Sequence, residues 1–288
     1  MRVKGAKALK AIVLRGINDY SYCDISRPTC DKDGILIKVK ACGLCGSDIR
    51  NIMSGHRNIK YPWVIGHEVS GIVEECGPDY KGELREGDSI ALAPPVYCGN
   101  CQWCIRGRFE LCMNMKELAQ HWEGGFAEYM AIPIQAIERG CMVKIDDTFN
   151  KIHAAVAEPC SSCINAHEKL DTKLGDSVLI IGAGPIGCIH ICLAFARGAQ
   201  KVYVADISDY RLEYCKRFGD VETINSKDID LIKAISEKTN GLGVDIVITA
   251  NSVGQTQIEA LEIVKRGGRV AFFGGLPHGK NRPLLDTN

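Results

Sequence analysis

The chain has 288 residues, of which 46% are hydrophobic and 24% charged, so its length suits about two globular domains and its composition excludes a disordered or collagen-like chain. Because 35 Lys and Arg residues offset 35 Asp and Glu residues, there is no net positive charge to hold nucleic acid or an anionic lipid surface. No apolar run approaches the roughly 18 residues that a membrane-spanning helix needs. We therefore expect a globular protein with no nucleic-acid or membrane partner.

The chain contains 15 cysteines, a number that a secreted protein uses for disulfides and a cytosolic protein keeps as thiols or metal ligands. Residues 1–10 (MRVKGAKALK) are basic, but no apolar stretch of about 7 to 15 residues follows them, so they do not resemble a secretory signal. We therefore expect a cytoplasmic protein whose non-ligand thiols are free and mostly buried.

Gly and Pro divide the first half of the chain into short apolar or alternating runs, which predict β-strands. These runs are Lys10–Leu14, Ile35–Ala41, Val69–Glu74, Ser89–Ala93 and Phe126–Ile132. Their spacing predicts a β-rich, barrel-like domain.

Three short motifs carry residues that can bind a metal. Cys45 lies in ACGLCGSD, His67 and Glu68 lie in VIGHEVSG, and Glu158 lies in AEPCSS. One thiolate, one imidazole and one carboxylate leave a fourth position open for water or substrate, which is the pattern of catalytic zinc. Each motif alone is weak evidence, because Gly-His-Glu is often a turn and Glu-Pro a helix start. Their combination predicts an open metal site.

Charge decides how many carboxylates bind this metal. The Cys45 thiolate and one glutamate neutralise a divalent zinc ion, whereas two bound glutamates would leave the site net negative. We therefore expect Glu68 and Glu158 to compete, one binding the metal and the other holding its water or exchanging with it.

Residues near Cys45 have alternative roles. Cys42 is either a rival thiolate or a packed strand residue. Asp48 is either a turn residue or the acceptor for the second ring N–H of His67, which would fix the tautomer of that ring. Ser47 is either an ordinary turn serine or the start of a proton relay from a bound alcohol.

A second metal motif follows in the stretch YCGNCQWCIRGRFELC, which contains Cys98, Cys101, Cys104 and Cys112. Four thiolates suit a closed, tetrahedral structural zinc site. The alternative of four unrelated buried cysteines is weaker, and the spacing lacks the final proline of the bacterial iron–sulfur pattern. A closed site has no open position for chemistry, so we expect two zinc ions per chain with different roles.

The pattern of predicted secondary structure changes from about Asp176 onward, where strand-like and helix-length segments alternate. Alternation of this kind predicts a parallel sheet built from βαβ units. The strand-like runs are Ser177–Ile181, Lys201–Ala205, Asp245–Thr249 and Arg269–Phe273, and the helical segments are Pro185–Arg197, Asp209–Phe218, Asp228–Thr239 and Gln255–Lys265. We place the domain boundary so that residues 1–165 form the first domain and residues 166–288 the second.

A dinucleotide-binding fingerprint opens the second domain. The strand SVLII ends in GAGPIG, which is G-x-G-x-x-G followed by a helical stretch. The three glycines, Gly182, Gly184 and Gly187, would permit the tight turn, the approach of a pyrophosphate and close helix packing.

Asp206 ends the next strand and would accept hydrogen bonds from the adenosine ribose. Because its charge repels a 2′-phosphate, NAD is favoured over NADP. Arg211 could stack on the adenine, attract a 2′-phosphate, or simply be solvated. A metal with an open position and a nicotinamide cofactor together fit interconversion of an alcohol and a carbonyl compound.

At this point the sequence resembles the zinc-dependent medium-chain dehydrogenases, in particular the branch that contains sorbitol, galactitol-phosphate and threonine dehydrogenases. The resemblance rests on motifs in the same order along the chain: Cys45-Gly46-Ser47-Asp48, Gly66-His67-Glu68, the four-cysteine lobe, Gly124–Tyr129, Glu158-Pro159, and Gly182–Gly187 with Asp206.

The resemblance implies a GroES-like catalytic domain followed by a Rossmann domain with a doubly wound parallel sheet. It implies catalytic zinc ligands at Cys45, His67 and either Glu68 or Glu158. It also implies cofactor contacts in the second domain, at Gly182, Gly184, Pro185, Ile186, Gly187, Asp206, Arg211, Phe273, Gly274 and Gly275. The expected activity is NAD-dependent oxidation of a secondary alcohol in a polyol, a polyol phosphate or a related small alcohol, by a homodimer or homotetramer.

Three features depart from this family. The relay histidine after the serine is missing, with Arg50 and His56 the nearest substitutes, and residues 1–9 look like an extension. The chain stops at Asn288, before the last Rossmann strand and the return segment that the family usually has. Two alternatives to a polyol dehydrogenase therefore stay open: an enzyme like L-threonine 3-dehydrogenase, and a truncated, non-catalytic protein that binds zinc and NAD.

Overall fold

The computed structural model of the chain describes residues 8–276 and residue 284. The chain divides into two compact units between Glu158 and Pro159, whereas the expected boundary lies between residues 165 and 166, inside the helix Ala157–Lys169. The alternation of strands and helices in the sequence shows where the first strand of the second unit lies. It does not show that the helix before this strand already packs into the same unit, through His167. Residues 1–7 of the expected extension and the chain end at Asn288 lie outside the described residues.

The first unit is rich in β-strands, as its short apolar runs predict. The strands are β1 (Leu9–Gly16), β2 (Asp19–Ile25), β3 (Ile35–Gly43), β4 (Glu68–Cys76), β5 (Ser89–Leu92), β6 (Pro95–Val96), β7 (Lys116–Glu117), β8 (Tyr129–Ile132) and β9 (Met142–Lys144). The helices are α1 (Gly46–Ser54), α2 (Gln102–Ile105), α3 (Ile134–Glu138), α4 (Lys151–Ala155) and α5 (Ala157–Lys169), the last of which crosses the boundary.

An antiparallel sheet of order β8-β3-β4-β5-β9 forms the centre of this unit. Ile35, Ile37 and Ile90 are fully buried in its core. The register of β3 and β4 places Gly43, at the end of β3, opposite Glu68, at the start of β4. Because Cys45 follows this end of β3 and His67 directly precedes β4, strand pairing brings two of the predicted ligand motifs together.

The second unit contains a parallel sheet with helices between its strands. Its strands are β10 (Ser177–Ile181), β11 (Lys201–Asp206), β12 (Glu222–Asn225), β13 (Val244–Thr249) and β14 (Val264–Ala271). Its further helices are α6 (Pro185–Ala196), α7 (Asp209–Cys215), α8 (Leu231–Lys238) and α9 (Gly254–Ile263). The strand order β12-β11-β10-β13-β14, with every pair parallel, confirms the predicted doubly wound sheet.

The central strands of this sheet are buried on both faces. Val178, Leu179 and Ile180 of β10 are all fully buried, which explains why the strand reads as a continuous apolar run instead of an alternating one. Every helix that the structure describes is too short or too polar to cross a bilayer.

Two histidines are fully buried where α5 packs against α6. His167 and His190 are both 0% exposed, and their ring centroids lie 5.2 Å apart. Thr172 Oγ1 lies 2.9 Å from Nδ1 of His167, whereas neither ring nitrogen of His190 has a hydrogen-bond partner among the described residues. Burial, together with the charge of Arg197, lowers the pKa of His167 to about 4, and burial lowers the pKa of His190 to about 3.

We expect this histidine pair to make the protein unstable in mild acid. Unfolding restores both pKa values toward 6.5, so the unfolded chain takes up protons first as the pH falls below that value. The free energy of unfolding is therefore highest above about pH 7, and by about pH 5 each of the two rings has lowered it by about 2 kcal/mol. Thermal unfolding should show the loss, and His190→Leu should remove about half of it. His153→Leu, at an exposed position, is the control, and equal acid loss in wild type and His190→Leu would refute the explanation.

Candidate zinc centre and nucleotide cleft

Cys45 is held at the start of α1 by the local hydrogen bonding of its own segment. It is the N-cap residue, and its Sγ accepts a hydrogen bond from the backbone N–H of Ser47 at 3.5 Å. Asp48 completes a capping box by accepting from the backbone N–H of Cys45 at 3.0 Å. The thiol is therefore fixed at the junction of β3 and α1.

Asp48 also reaches His67. Its Oδ1 lies 3.4 Å from Nδ1 of His67, and the residue is 1% exposed. The structure thus places Asp48 where one of its two predicted roles requires it. An Nδ1–H that faces this carboxylate leaves Nε2 as the nitrogen that can bind a metal.

The donor atoms of Cys45, His67 and Glu68 form one compact group, in which all of them lie within 4.8 Å of one another. Donors that share one tetrahedral zinc ion are roughly 3.3–3.8 Å apart, so the trio fits zinc with only small side-chain adjustments. A Cβ added at Gly43 would lie 1.9 Å from Oε2 of Glu68, so only glycine leaves room for that carboxylate.

Electrostatics within the trio favours the anionic thiol that a metal requires. A hydrogen bond with His67 lowers the pKa of Cys45, despite its partial burial. Burial lowers the pKa of His67, but hydrogen bonds with Asp48 and Cys45 outweigh it and raise that pKa to about 11. Burial raises the pKa of Glu68. A divalent ion in the centre would take over the role of the imidazolium proton.

Glu158 lies outside this trio but close enough for the charges of the trio to act on its carboxyl group. Burial raises the pKa of its carboxyl group, and the charges of His67, Glu68 and Asp48 act on it. It occupies the first turn of α5, so it reaches the region from a different element. In this arrangement Glu68, rather than Glu158, is grouped with Cys45 and His67.

The remaining predicted neighbours differ in position. The hydroxyl of Ser47 hydrogen-bonds the thiol of Cys45, so it lies at the centre. Cys42 is packed instead, because a Cβ at Gly66 would lie 2.8 Å from its Sγ, and burial raises its pKa. Arg50 is exposed on α1, whereas His56 accepts a hydrogen bond from the backbone N–H of Asn58 at 3.3 Å.

The four cysteines of the lobe, Cys98, Cys101, Cys104 and Cys112, also form one group of donors within 4.8 Å. Sγ of Cys104 lies 3.9 Å from Sγ of Cys98 and 3.5 Å from Sγ of Cys101. Zinc–sulfur bonds of about 2.3 Å in a tetrahedron require sulfur atoms roughly 3.8 Å apart, so the four thiols fit one zinc ion.

Backbone hydrogen bonds in the lobe lower the pKa of two of its thiols, which favours the ionised form that binds a cation. Backbone hydrogen bonds, first from Cys104, lower the pKa of Cys101 to about 6, and a backbone hydrogen bond from Asn100 lowers the pKa of Cys98. Burial raises the pKa of Cys104 to about 12, which leaves that thiol dependent on a bound ion to lose its proton.

In the second unit, the loop between β10 and α6 has the geometry that the glycine fingerprint predicts. Gly182 has a φ of +117°, and a Cβ at Gly187 would lie 1.9 Å from the carbonyl oxygen of Gly182. Among the described residues, no atom beyond its own chain neighbours and the backbone of its helix lies within 4 Å of the Cβ position of Gly184, and this N-cap residue gives α6 no side-chain cap. An open, uncapped helix N-terminus suits a pyrophosphate.

Asp206 lies beside this loop at the end of β11. Its carboxylate accepts hydrogen bonds from the backbone N–H groups of Ala183 at 2.8 Å and Ser208 at 2.9 Å. Nη1 of Arg211 lies 3.9 Å away, with its side chain 59% exposed. Gly182, Asp206 and Arg211 line a cleft of about 620 Å³, which is large enough for a nucleoside.

The other predicted cofactor residues lie around this cleft without lining it. Pro185 and Ile186 begin α6, and Phe273 packs edge-on against His190, with ring centroids 4.7 Å apart. Gly274 donates to the carbonyl of Thr249 at 2.8 Å, and Gly275 follows it. Asn251 was not predicted from the sequence, although it lines the cleft and donates to the carbonyl of Ile181 at 3.2 Å. The one sequence feature that could have indicated it is its position directly after β13.

A group of three donors that can hold a metal and a cleft that can hold a nucleotide are together typical of a metal- and nucleotide-dependent oxidoreductase. The family model for the alcohol dehydrogenase GroES-like domain matches residues 31–145, and the model for zinc-binding dehydrogenases matches residues 185–288. The chain belongs to the zinc-dependent medium-chain alcohol dehydrogenase family, and it has the expected GroES-like and Rossmann-like parts. It is a zinc-type alcohol dehydrogenase that uses a nicotinamide cofactor.

Individual relatives agree with this assignment. Sorbitol dehydrogenase from Bacillus subtilis is 32% identical over 96% of this chain and 77% of its own length. L-threonine 3-dehydrogenase from Pyrococcus horikoshii is 34% identical over 84% of this chain and 69% of its own length. A zinc-binding dehydrogenase from Sinorhizobium meliloti, bound to NADP, is 30% identical with a TM-score of 0.89 and covers 98% of this chain and 80% of its own. Galactitol-1-phosphate dehydrogenase from Escherichia coli is 28% identical with a TM-score of 0.85, covering 97% of this chain and 78% of its own.

Proposed function

We propose that this alcohol dehydrogenase oxidises a secondary hydroxyl group of a polyol, a polyol phosphate or a related small alcohol to the ketone, reversibly and with NAD. The observation that carries the proposal is the group of Cys45, His67 and Glu68, which supplies three donors to a metal and leaves a fourth position for the substrate. The sorbitol and galactitol-1-phosphate dehydrogenases among the relatives support the substrate class.

Each residue of the metal centre has its own role in the proposed reaction. Bound zinc supplies a Lewis acid that lowers the pKa of the alcohol, and bound nicotinamide supplies the hydride acceptor. Cys45, His67 and Glu68 hold the ion, and Asp48 fixes the ring of His67. Ser47 would take the hydroxyl proton of the substrate at Oγ as it releases its own hydroxyl proton toward solvent. Glu158 would hold the water of the site or exchange with Glu68.

The second unit binds the cofactor. Backbone N–H groups at the start of α6 hold the pyrophosphate, and Asp206 accepts hydrogen bonds from the ribose hydroxyls. Because this carboxylate is 8% exposed and faces the cleft, a 2′-phosphate would meet its charge, so NAD is preferred over NADP.

Four cysteines of the lobe hold a second, structural zinc ion. We place the enzyme in the cytoplasm as a homodimer or homotetramer, and the absence of a disulfide at all 15 of its cysteines suits a reducing compartment.

A substrate panel tests this function. The zinc-loaded protein should reduce NAD with sorbitol or a polyol phosphate, prefer NAD to NADP, and lose activity when a chelator removes the metal. L-threonine belongs in the panel because threonine dehydrogenases are among the relatives, and preference for it would favour that second candidate. Absence of metal-dependent reduction of either nucleotide with every alcohol would refute the proposal.

A further inference from the structure

Five polar side chains of the first unit form a connected group that neither metal site uses; we call it the polar network, and it consists of His56, Asn58, Glu117, Gln120 and His121. Nδ2 of Asn58 donates to Oε1 of Gln120 at 3.5 Å, and Nε2 of Gln120 donates to Oε2 of Glu117. The backbone N–H of Glu117 donates to Nδ1 of His121 at 3.0 Å, and that of Asn58 donates to Nδ1 of His56. All five residues are half-buried, so the network is still reachable from solvent.

These contacts settle what the network can offer to a ligand. Because Nδ1 accepts a hydrogen bond in both histidines, each neutral ring carries its proton on Nε2 and presents a donor there. Glu117 adds a carboxylate with capacity to accept further hydrogen bonds, and Asn58 adds an amide N–H. The network therefore presents alternating donors and acceptors.

Backbone pairing joins the segment that carries Glu117, Gln120 and His121 to the segment that leads into His67. The segment that follows Glu117 runs along the segment that leads into His67: Trp63 Nε1 donates to the carbonyl of Ala119 at 2.9 Å, and Gly124 and Gly125 donate to the carbonyls of Val64 and Gly66 at 2.8 Å. His56 and Asn58 follow the C-terminal end of α1, the nine-residue helix whose N-cap is Cys45. The charge of Glu117 also contributes to the raised pKa of Glu158, which agrees with this proximity.

The chemistry of the network suits a neutral chain of hydroxyl groups. Each hydroxyl both donates and accepts, so neighbouring hydroxyls can pair with neighbouring imidazole, amide and carboxylate groups. No Lys or Arg belongs to the network, and the Glu117 carboxylate would repel a phosphate or a carboxylate. Arg57, whose charge acts on His56, is exposed.

We propose that the polar network binds the hydroxyl groups of a neutral polyol that are remote from the reacting carbon. This inference rests on the proposed function, because it assigns the substrate wall of the same active site. It separates a polyol from a simple alcohol, which has no remote hydroxyls for the network to bind.

Substitutions in the network should separate these two substrates. Gln120→Ala and Glu117→Gln in the full-length, zinc-loaded protein should each raise the KM for sorbitol about tenfold, the effect of losing one good hydrogen bond to the substrate. The value of kcat with sorbitol and the KM for 2-butanol should stay close to wild type. Gln135→Ala, an exposed glutamine on α3, is the matched control and should change neither.

Several outcomes would overturn the inference alone: an unchanged KM for sorbitol in both variants, an equal loss with 2-butanol, which indicates a structural role, or a wild-type preference for galactitol 1-phosphate or L-threonine over sorbitol. Thermal unfolding of each variant shows whether the fold is retained. Failure of the wild type to oxidise any alcohol would instead overturn the proposed function, and this inference with it.

Discussion

Replacement of Cys45 by Ser should lower kcat/KM by well over about 100-fold, since loss of even a residue that only orients a ligand typically costs about 10- to 100-fold. A serine hydroxyl does not ionise at neutral pH, so the centre loses both its sulfur donor and the charge that neutralises zinc. The fold should be retained, because serine is itself a good N-cap for α1. The expected readouts are NAD reduction with the preferred alcohol and zinc content, which should fall by one ion per chain.

Cys42→Ser is the matched control, since it makes the same substitution in the same segment at a thiol that lies outside the metal trio. It should keep both zinc ions and most of the activity. The ligand assignment is wrong if the Cys45 variant keeps full turnover with its zinc, or if the Cys42 variant is the one that loses it.

Replacement of Cys104 by Ser should destabilise the first unit. This thiol is 6% exposed at the centre of the lobe, within 3.5–3.9 Å of two other sulfurs, and its raised pKa means that it depends on a bound ion for ionisation. Without the ion, residues 98–112 lose the bonds that hold them together. A loss of about 3 kcal/mol would lower Tm by roughly 6–12 °C in a protein of this size. Thermal unfolding and zinc content are the measurements.

Cys141→Ser provides the comparison for this variant. Cys141 is 2% exposed and its Sγ donates to the carbonyl of Pro95 at 3.3 Å, so it is a buried thiol outside the lobe. Its substitution should keep both zinc ions and cost less stability. Equal stability and equal zinc content in the two variants would show that the lobe does not depend on a metal.

The two metal motifs differ in how far the sequence alone reveals them. The four lobe cysteines lie in one short segment, so their spacing indicates a site without any knowledge of the fold. Cys45 and His67 come together only because β3 pairs with β4 in the register that sets Gly43 opposite Glu68. That register is a tertiary property that the spacing of the motifs does not show, so the open site could be predicted only from the combination of its donor types.

Other features depend on packing that local patterns do not encode. Glu68 and Glu158 could not be distinguished from the residues, because the approach of α5 to the region is set by the tertiary fold. The burial of His190 was equally hidden, since α6 is apolar on nearly all faces and periodicity does not show which residue is covered. The polar network lies mostly in loops, where no periodic pattern indicates its members.

Zinc X-ray absorption spectroscopy of a Cys101→Ser/Cys104→Ser double variant shows the ligands of the catalytic zinc alone, since this protein should keep zinc only at the catalytic centre. We expect one zinc ion per chain with a single sulfur neighbour and otherwise nitrogen and oxygen. A folded variant that is free of zinc, or one whose zinc has several sulfur neighbours, would contradict the existence of an open site at Cys45, His67 and Glu68.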